Sequence, residues 1–224
     1  IHTILNHWGS FCSPIDKKNV ISTHQIFIIY HPGMFGMMLA SLLEKPNRKI
    51  AGRKGNAHHS GFSHILKDFH DVNDVETLLQ MNNEKRIKFF EPLKYVYDRK
   101  CIHTLSSYKF LKVPFAQYFK SFTVVALVPE HEDTHKNWAT RYESAEGDMQ
   151  DKISDKIKYL KKDLVYAQET NYHIKFDPIN FFNFQHTQKL VTDICVHAKS
   201  DTIKIPYENW SQHVAKSRLF FESK

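Results

Sequence analysis

Residues 25–44, QIFIIYHPGMFGMMLASLLE, constrain the fold more tightly than any other stretch of the chain. Ile26 to Tyr30 is an unbroken run of β-branched and aromatic residues, the pattern of a strand buried on both faces. His31, Pro32 and Gly33 break the run, and from Gly36 an apolar, helix-forming segment extends to about Glu44. A helix that starts directly after a buried strand aims unpaired N–H groups, and the positive end of its dipole, at whatever occupies the turn. Phosphate or sulfate suits such a place. The kinase-type loop G-x-x-x-x-G-K-[ST] is absent, because the turn offers only Gly33 and Gly36, with no Lys, Ser or Thr after them. ATP hydrolysis is therefore disfavoured, and a plain close connection between strand and helix accounts for the same residues.

The rest of the chain repeats the alternation. Cys101 to Leu105 reads as a second strand, and Phe122 to Val128 as a central parallel strand that stops at Pro129. A helix is expected from about Asp133, and Tyr172 to Phe176 reads as a short strand. Asp177 and Pro178 should open a further helix whose buried set is Phe181, Phe184, Leu190, Val191 and Ile194. Ser106 to Phe119 reads as helical pieces broken by Pro114, and Asp71 to Leu79 as a short helix with Asn73 as a possible cap. Met149, Ile153, Ile157, Leu160 and Leu164 recur at helical spacing across a lysine-rich face, which predicts an amphipathic helix against the sheet. Strands alternating with helices imply βαβ units. The expected fold is α/β in three layers, a central parallel sheet flanked by helices.

At 224 residues with 42% hydrophobic content, the chain suffices for one domain spanning 1–224 with its own core. A variable loop and helical insertion is expected at about 45–92, where Lys45 to Gly61 carries five basic residues, three glycines and a proline. The net charge of +7 favours an anionic ligand, while no nucleic-acid-binding motif accompanies it. His58, His59, His64 and His70 invite a metal reading, but the first three share no i, i+4 helical face and H-E-x-x-H is absent, so no metal is expected. Cys12, Cys101 and Cys195 are odd in number and far apart, which argues against a disulfide framework and a structural zinc. With no apolar run of bilayer length and no basic-then-apolar start, the expectation is a protein without a membrane span in a reducing, cytoplasmic compartment. The chain begins at Ile1 rather than Met, which leaves room for a preceding segment.

Three stretches in order resemble the sulfotransferase superfamily. HPGMFGMML sits where that family has P-K-S-G-[GT]-T-x-L, with Pro32, Gly36 and Leu39 matching. VVALVPEHEDTHKNWATRYE resembles its strand-then-helix pattern L-V-R-[DN]-P-x-x-D-x-x-x-S, with Asp133 in register, and IKFDPINFFNFQHTQKLVTDIC resembles its later strand, loop and helix. The resemblance covers about half the chain. It implies a P-loop-type sheet and transfer of a sulfuryl group from 3′-phosphoadenosine 5′-phosphosulfate to a hydroxyl of a sugar or small molecule, leaving adenosine 3′,5′-bisphosphate, without a metal. The donor would lie over Pro32, Gly33, Met34, Phe35, Gly36, Met37 and Met38.

The departures fall at the contact positions. Gly33 stands in place of the family's lysine, Met34 and Met37 in place of its hydroxyls, and Pro129 in place of the arginine that holds the 3′-phosphate. Asn137 replaces the partner serine, and Lys136 and Arg141 are candidate replacements for the lost cation. His103, in IHTLS, is the candidate base if the register slips by one residue, and His31 at the lip of the turn is a candidate charge for the sulfate. The alternative is a degenerate sulfotransferase-like protein that binds no donor and serves as a binding or interaction protein.

Overall fold

A computed structural model describes residues 24–31, 33–44, 77–90, 101–105, 107–145 and 161–222. The expectations for Lys45 to Gly61, the four clustered histidines and the stretch from Met149 to Leu160 lie outside these residues, as does most of the insertion. Among the described residues, β1 (Gln25–Ile29), β2 (Cys101–Leu105), β3 (Phe122–Leu127) and β4 (Ile174–Phe176) form one sheet in the order β2-β1-β3-β4, parallel throughout. β1 is buried along its whole length, as its unbroken apolar run requires.

Alternation along β1 divides the interior in two. Ile26, Ile28 and Tyr30 face a core completed by α1 (Gly36–Glu44), α5 (Phe184–His197) and α6 (Tyr207–Glu222), through Met38, Leu39, Leu42, Leu43, Val191, Ile194, Trp210 and Val214. Trp138 of α4 (Glu132–Ala145) joins that core. Phe27 and Ile29 face the other, built by Phe90 of α2 (Asn83–Phe90), the 3₁₀ turn Tyr108–Lys112, α3 (Phe115–Tyr118), and Leu164 and Ala167 of the helical residues 161–169. Helices on both faces of a parallel sheet make three layers. Cys195 is a free, buried thiol within the first core.

Two expected elements differ in their bounds. β4 begins at Ile174 rather than Tyr172, because the N–H of Val124 is taken by the His173 ring at 3.0 Å and the ladder starts one step later, at Val125 opposite Ile174. Asp177 and Pro178 open a 3₁₀ turn (Pro178–Phe182), not the long helix: the Asp177 carboxylate accepts from Ile179 N–H at 3.1 Å. α5 starts afterwards, where Asn183 Oδ1 accepts from the N–H groups of Gln185 and His186 at 2.9 and 3.1 Å.

The order of the strands fixes where a ligand would sit. β2 lies on one side of β1 and β3 on the other, so the topological switch point falls between the carboxyl ends of β1 and β3. The turn after β1 and Val128 to Glu130 after β3 both open there.

Candidate functional site

The turn after β1 is compact. Met34 N–H donates to the His31 carbonyl at 3.0 Å, and Leu39 N–H donates to the Phe35 carbonyl at 3.0 Å, closing the first bond of α1. The first-turn N–H groups of Gly36, Met37 and Met38 have no acceptor one turn back within the helix, and no acidic side chain stands in that turn. Gly33 has φ 87° and Phe35 φ 63°. At position 35 the backbone is therefore left-handed without the residue type that adopts that conformation freely.

The strain at Phe35 is offset by its ring. It lies edge-on to Trp138 at 5.3 Å and to Phe182 at 5.6 Å, and tilted against Phe181 at 5.5 Å, with Phe176 at 4.8 Å from Phe181. A left-handed phenylalanine costs roughly 1–2 kcal/mol, whereas each aromatic pair adds about 0.5–1.5 kcal/mol beyond the area it buries. Three pairs outweigh the strain. Met34 and Met38 are also buried, while Gly33 and Met37 are half-buried. Pro32 lies outside the described residues. Gly36 is required by packing: the Tyr30 ring lies against its Cα, in the space a Cβ would occupy.

The crevice between β1 and β3 holds a tyrosine. Tyr108 is 1% exposed, and its hydroxyl donates to the Leu127 carbonyl at the end of β3 at 2.6 Å and is hydrogen-bonded to the backbone of His31 at the end of β1. Burial pushes this phenol well above its ordinary value, so it stays a neutral donor. The His31 ring, itself buried, is 6.3 Å from the Tyr108 ring. Sequence reasoning missed Tyr108; the available signal was the aromatic density of YKFLKVPFAQYF beside a turn that needs its backbone groups satisfied.

The other candidates are dispersed. His103 is buried on β2 opposite Phe27, stacks on it at 5.1 Å and shares a 2.7 Å hydrogen bond through Nε2 with Gln25 Oε1 at the start of β1. Phe27 precedes His31 by four residues, so His103 lies about 13 Å along the strand direction from the turn. Lys136 and Asn137 are exposed on α4 while their neighbour Trp138 turns inward. Only the helical backbone of Arg141 is described. Pro129 is buried, and its carbonyl accepts from Gln168 Nε2 at 2.9 Å; Glu130 N–H donates to Asp177 Oδ2 at 3.3 Å. The loop after β3 is thus tied to its neighbours by backbone groups.

Among the described residues no group of three His, Cys, Asp or Glu side chains is placed to hold a metal ion, and no helix is long and apolar enough to cross a membrane. No protein-family model, curated protein or solved structure matches this chain. What the fold and the site define is an α/β protein with a parallel sheet whose switch-point turn is packed with aromatic side chains.

Proposed function

We propose that this chain is a sulfotransferase-like α/β domain whose donor turn has become a packing element, and that it acts as a binding or interaction protein rather than transferring sulfate. The observation that carries this reading is Phe35. At the position of the pattern's glycine, where backbone must approach a phosphosulfate closely, the chain places a benzyl group held by Trp138, Phe181 and Phe182. The missing lysine and hydroxyls of the turn and the proline at 129 point the same way.

A second reading, sulfuryl transfer from 3′-phosphoadenosine 5′-phosphosulfate to a hydroxyl, is favoured by the backbone of the same turn: two left-handed residues lead into α1, whose first N–H groups face the switch point. Under it the histidine beside the turn is His31, with Lys136 and Arg141 of α4, the helix after β3, as the cations.

Calorimetric titration with adenosine 3′,5′-bisphosphate, with AMP as control, separates the two. The first reading expects no heat from either nucleotide with the wild-type chain. Saturable micromolar binding that needs the 3′-phosphate sinks it and establishes a working donor site. Phe35→Gly sharpens the result, since binding gained only in that variant would identify the ring as the obstruction.

A further inference from the structure

We infer that the amino end of the sheet, opposite the turn, carries a site for a tetrahedral oxyanion, a phosphate or sulfate group, formed by Ser121, His173, His197 and Lys199 around His24. The fold converges these residues from four places. His24 directly precedes β1, Ser121 precedes β3, His173 precedes β4, and His197 and Lys199 sit at the end of α5. Gln25 N–H donates to the Ser121 carbonyl at 3.1 Å, which fixes the first two side by side. His173 and His197 have ring centroids 5.9 Å apart, and Phe122 supports the His173 ring edge-on at 5.2 Å.

The hydrogen bonds set which atoms remain to donate. His173 Nδ1 accepts from Val124 N–H at 3.0 Å, so the ring proton sits on Nε2 and His173 is a neutral donor. The two ring nitrogens of His24 meet Ser121 Oγ at 2.7 Å and Thr123 Oγ1 at 3.0 Å. Thr123 is fully buried and has no other side-chain partner among the described residues, so its hydroxyl donates to Nε2 of His24. His24 then donates from Nδ1 to Ser121, and the Ser121 proton is left to point outward. The array offers a hydroxyl, an imidazole N–H, a second imidazole and an ammonium, which are donors that match a phosphate or sulfate group.

Charge agrees with this. After burial, the neighbours that hold His24 below its ordinary value are His173, His197 and Lys199, and the one that holds His173 down is His197, all of them bases. The nearby Asp193 is engaged by Lys189 at 2.6 Å. The carbonyls closing α5, those of Ile194, Cys195 and Val196, already accept from the N–H groups of Ala198, Ser200 and Lys199, so their bonding is met within the chain. Ser121 and His24 are half-buried, and His173, His197 and Lys199 are exposed.

The test is a titration of the intact chain with inorganic phosphate, sulfate and methyl phosphate at constant ionic strength, followed by the imidazole resonances of His24, His173 and His197. Saturable shifts confined to these three, while those of His31 and His103 stay still, are the expected result. Methyl phosphate acting as well as phosphate would show that the site takes the group on a larger molecule; phosphate or sulfate acting alone would show that it takes the free ion. Lys199→Met and His197→Gln, both at exposed positions, should each weaken binding by about tenfold or more, the weight of a charge-assisted hydrogen bond. Ser121→Ala serves as the second variant if either loses its folded spectrum. Shifts that chloride reproduces at the same ionic strength, no shifts at all, or full binding in the folded variants would overturn the assignment.

Discussion

The two ends of the sheet are built from opposite materials. At the carboxyl end, where parallel α/β sheets hold their ligands, Phe35, Trp138, Phe181 and Phe182 pack together and the Tyr108 hydroxyl joins β1 to β3. At the amino end, His24, Ser121, His173, His197 and Lys199 present polar atoms to water. The difference teaches that the place where a fold usually works need not be where a particular chain keeps its chemistry. One end covers its turn with aromatic side chains; the other has left polar side chains facing out.

The sharpest way to break the comparison is to remove the stitch at the carboxyl end. Tyr108→Phe keeps the ring but strips partners from the His31 backbone and the Leu127 carbonyl, both in a fully buried setting. Two orphaned groups should cost about 2–4 kcal/mol, read as a lower urea midpoint with an unchanged slope. A loss near zero would mean that water reaches the crevice and that the carboxyl end is more open than its packing indicates.

Gly36→Ala probes the same end with a smaller expected effect. The added methyl meets the Tyr30 ring, which is 8% exposed and must move, so overpacking should cost about 1–3 kcal/mol. A neutral outcome would show that the strand and α1 can separate at the turn, and would weaken the view of this turn as a rigid packing element.

The sheet was the legible part of the sequence. The apolar run at 26–30 reads as a strand buried on both faces and that at 122–128 as a central strand, and they form β1 and β3, the two central strands of the sheet. Asp-Pro at 177–178 signals a helix start, yet the Asp177 carboxylate closes a 3₁₀ turn and Asn183 caps the helix; both are capping residues, and spacing does not say which one acts. The inward roles of Phe35 and Tyr108 were illegible for a different reason. A glycine pattern shows where a left-handed residue belongs, but not that packing against Trp138, from a helix a hundred residues later, will hold a phenylalanine in that conformation. The histidines of the amino end are scattered among 15 in the sequence and come together through the parallel register of β1, β3 and β4 and the end of α5.

The gentlest prediction uses pH to address both ends in one experiment. Burial first, and then the neighbouring bases, hold His24 and His173 below their ordinary value of 6.5 in the folded chain. A base depressed on folding binds more protons when unfolded, so the stability it contributes is fully present above about pH 6.5 and is lost as pH falls through the folded value. Tyr108 runs the other way: its phenol is raised by burial, so its contribution is complete below about pH 10 and is lost as pH rises beyond that. Tyr172, pushed up to about 12 mainly by burial, adds to this alkaline limb. Urea midpoints measured across pH should therefore fall on both sides. His24→Gln and His173→Gln should flatten the acid limb alone, and Tyr108→Phe the alkaline limb alone. Because His24 is half-buried and His173 exposed, water screens both, and the acid limb should be the shallower. If phosphate at the amino end flattens that acid limb as well, the oxyanion is stabilising the protonated bases of the same cluster. If it shifts the alkaline limb instead, the anion has gone to the carboxyl end, and the contrast between the two ends fails.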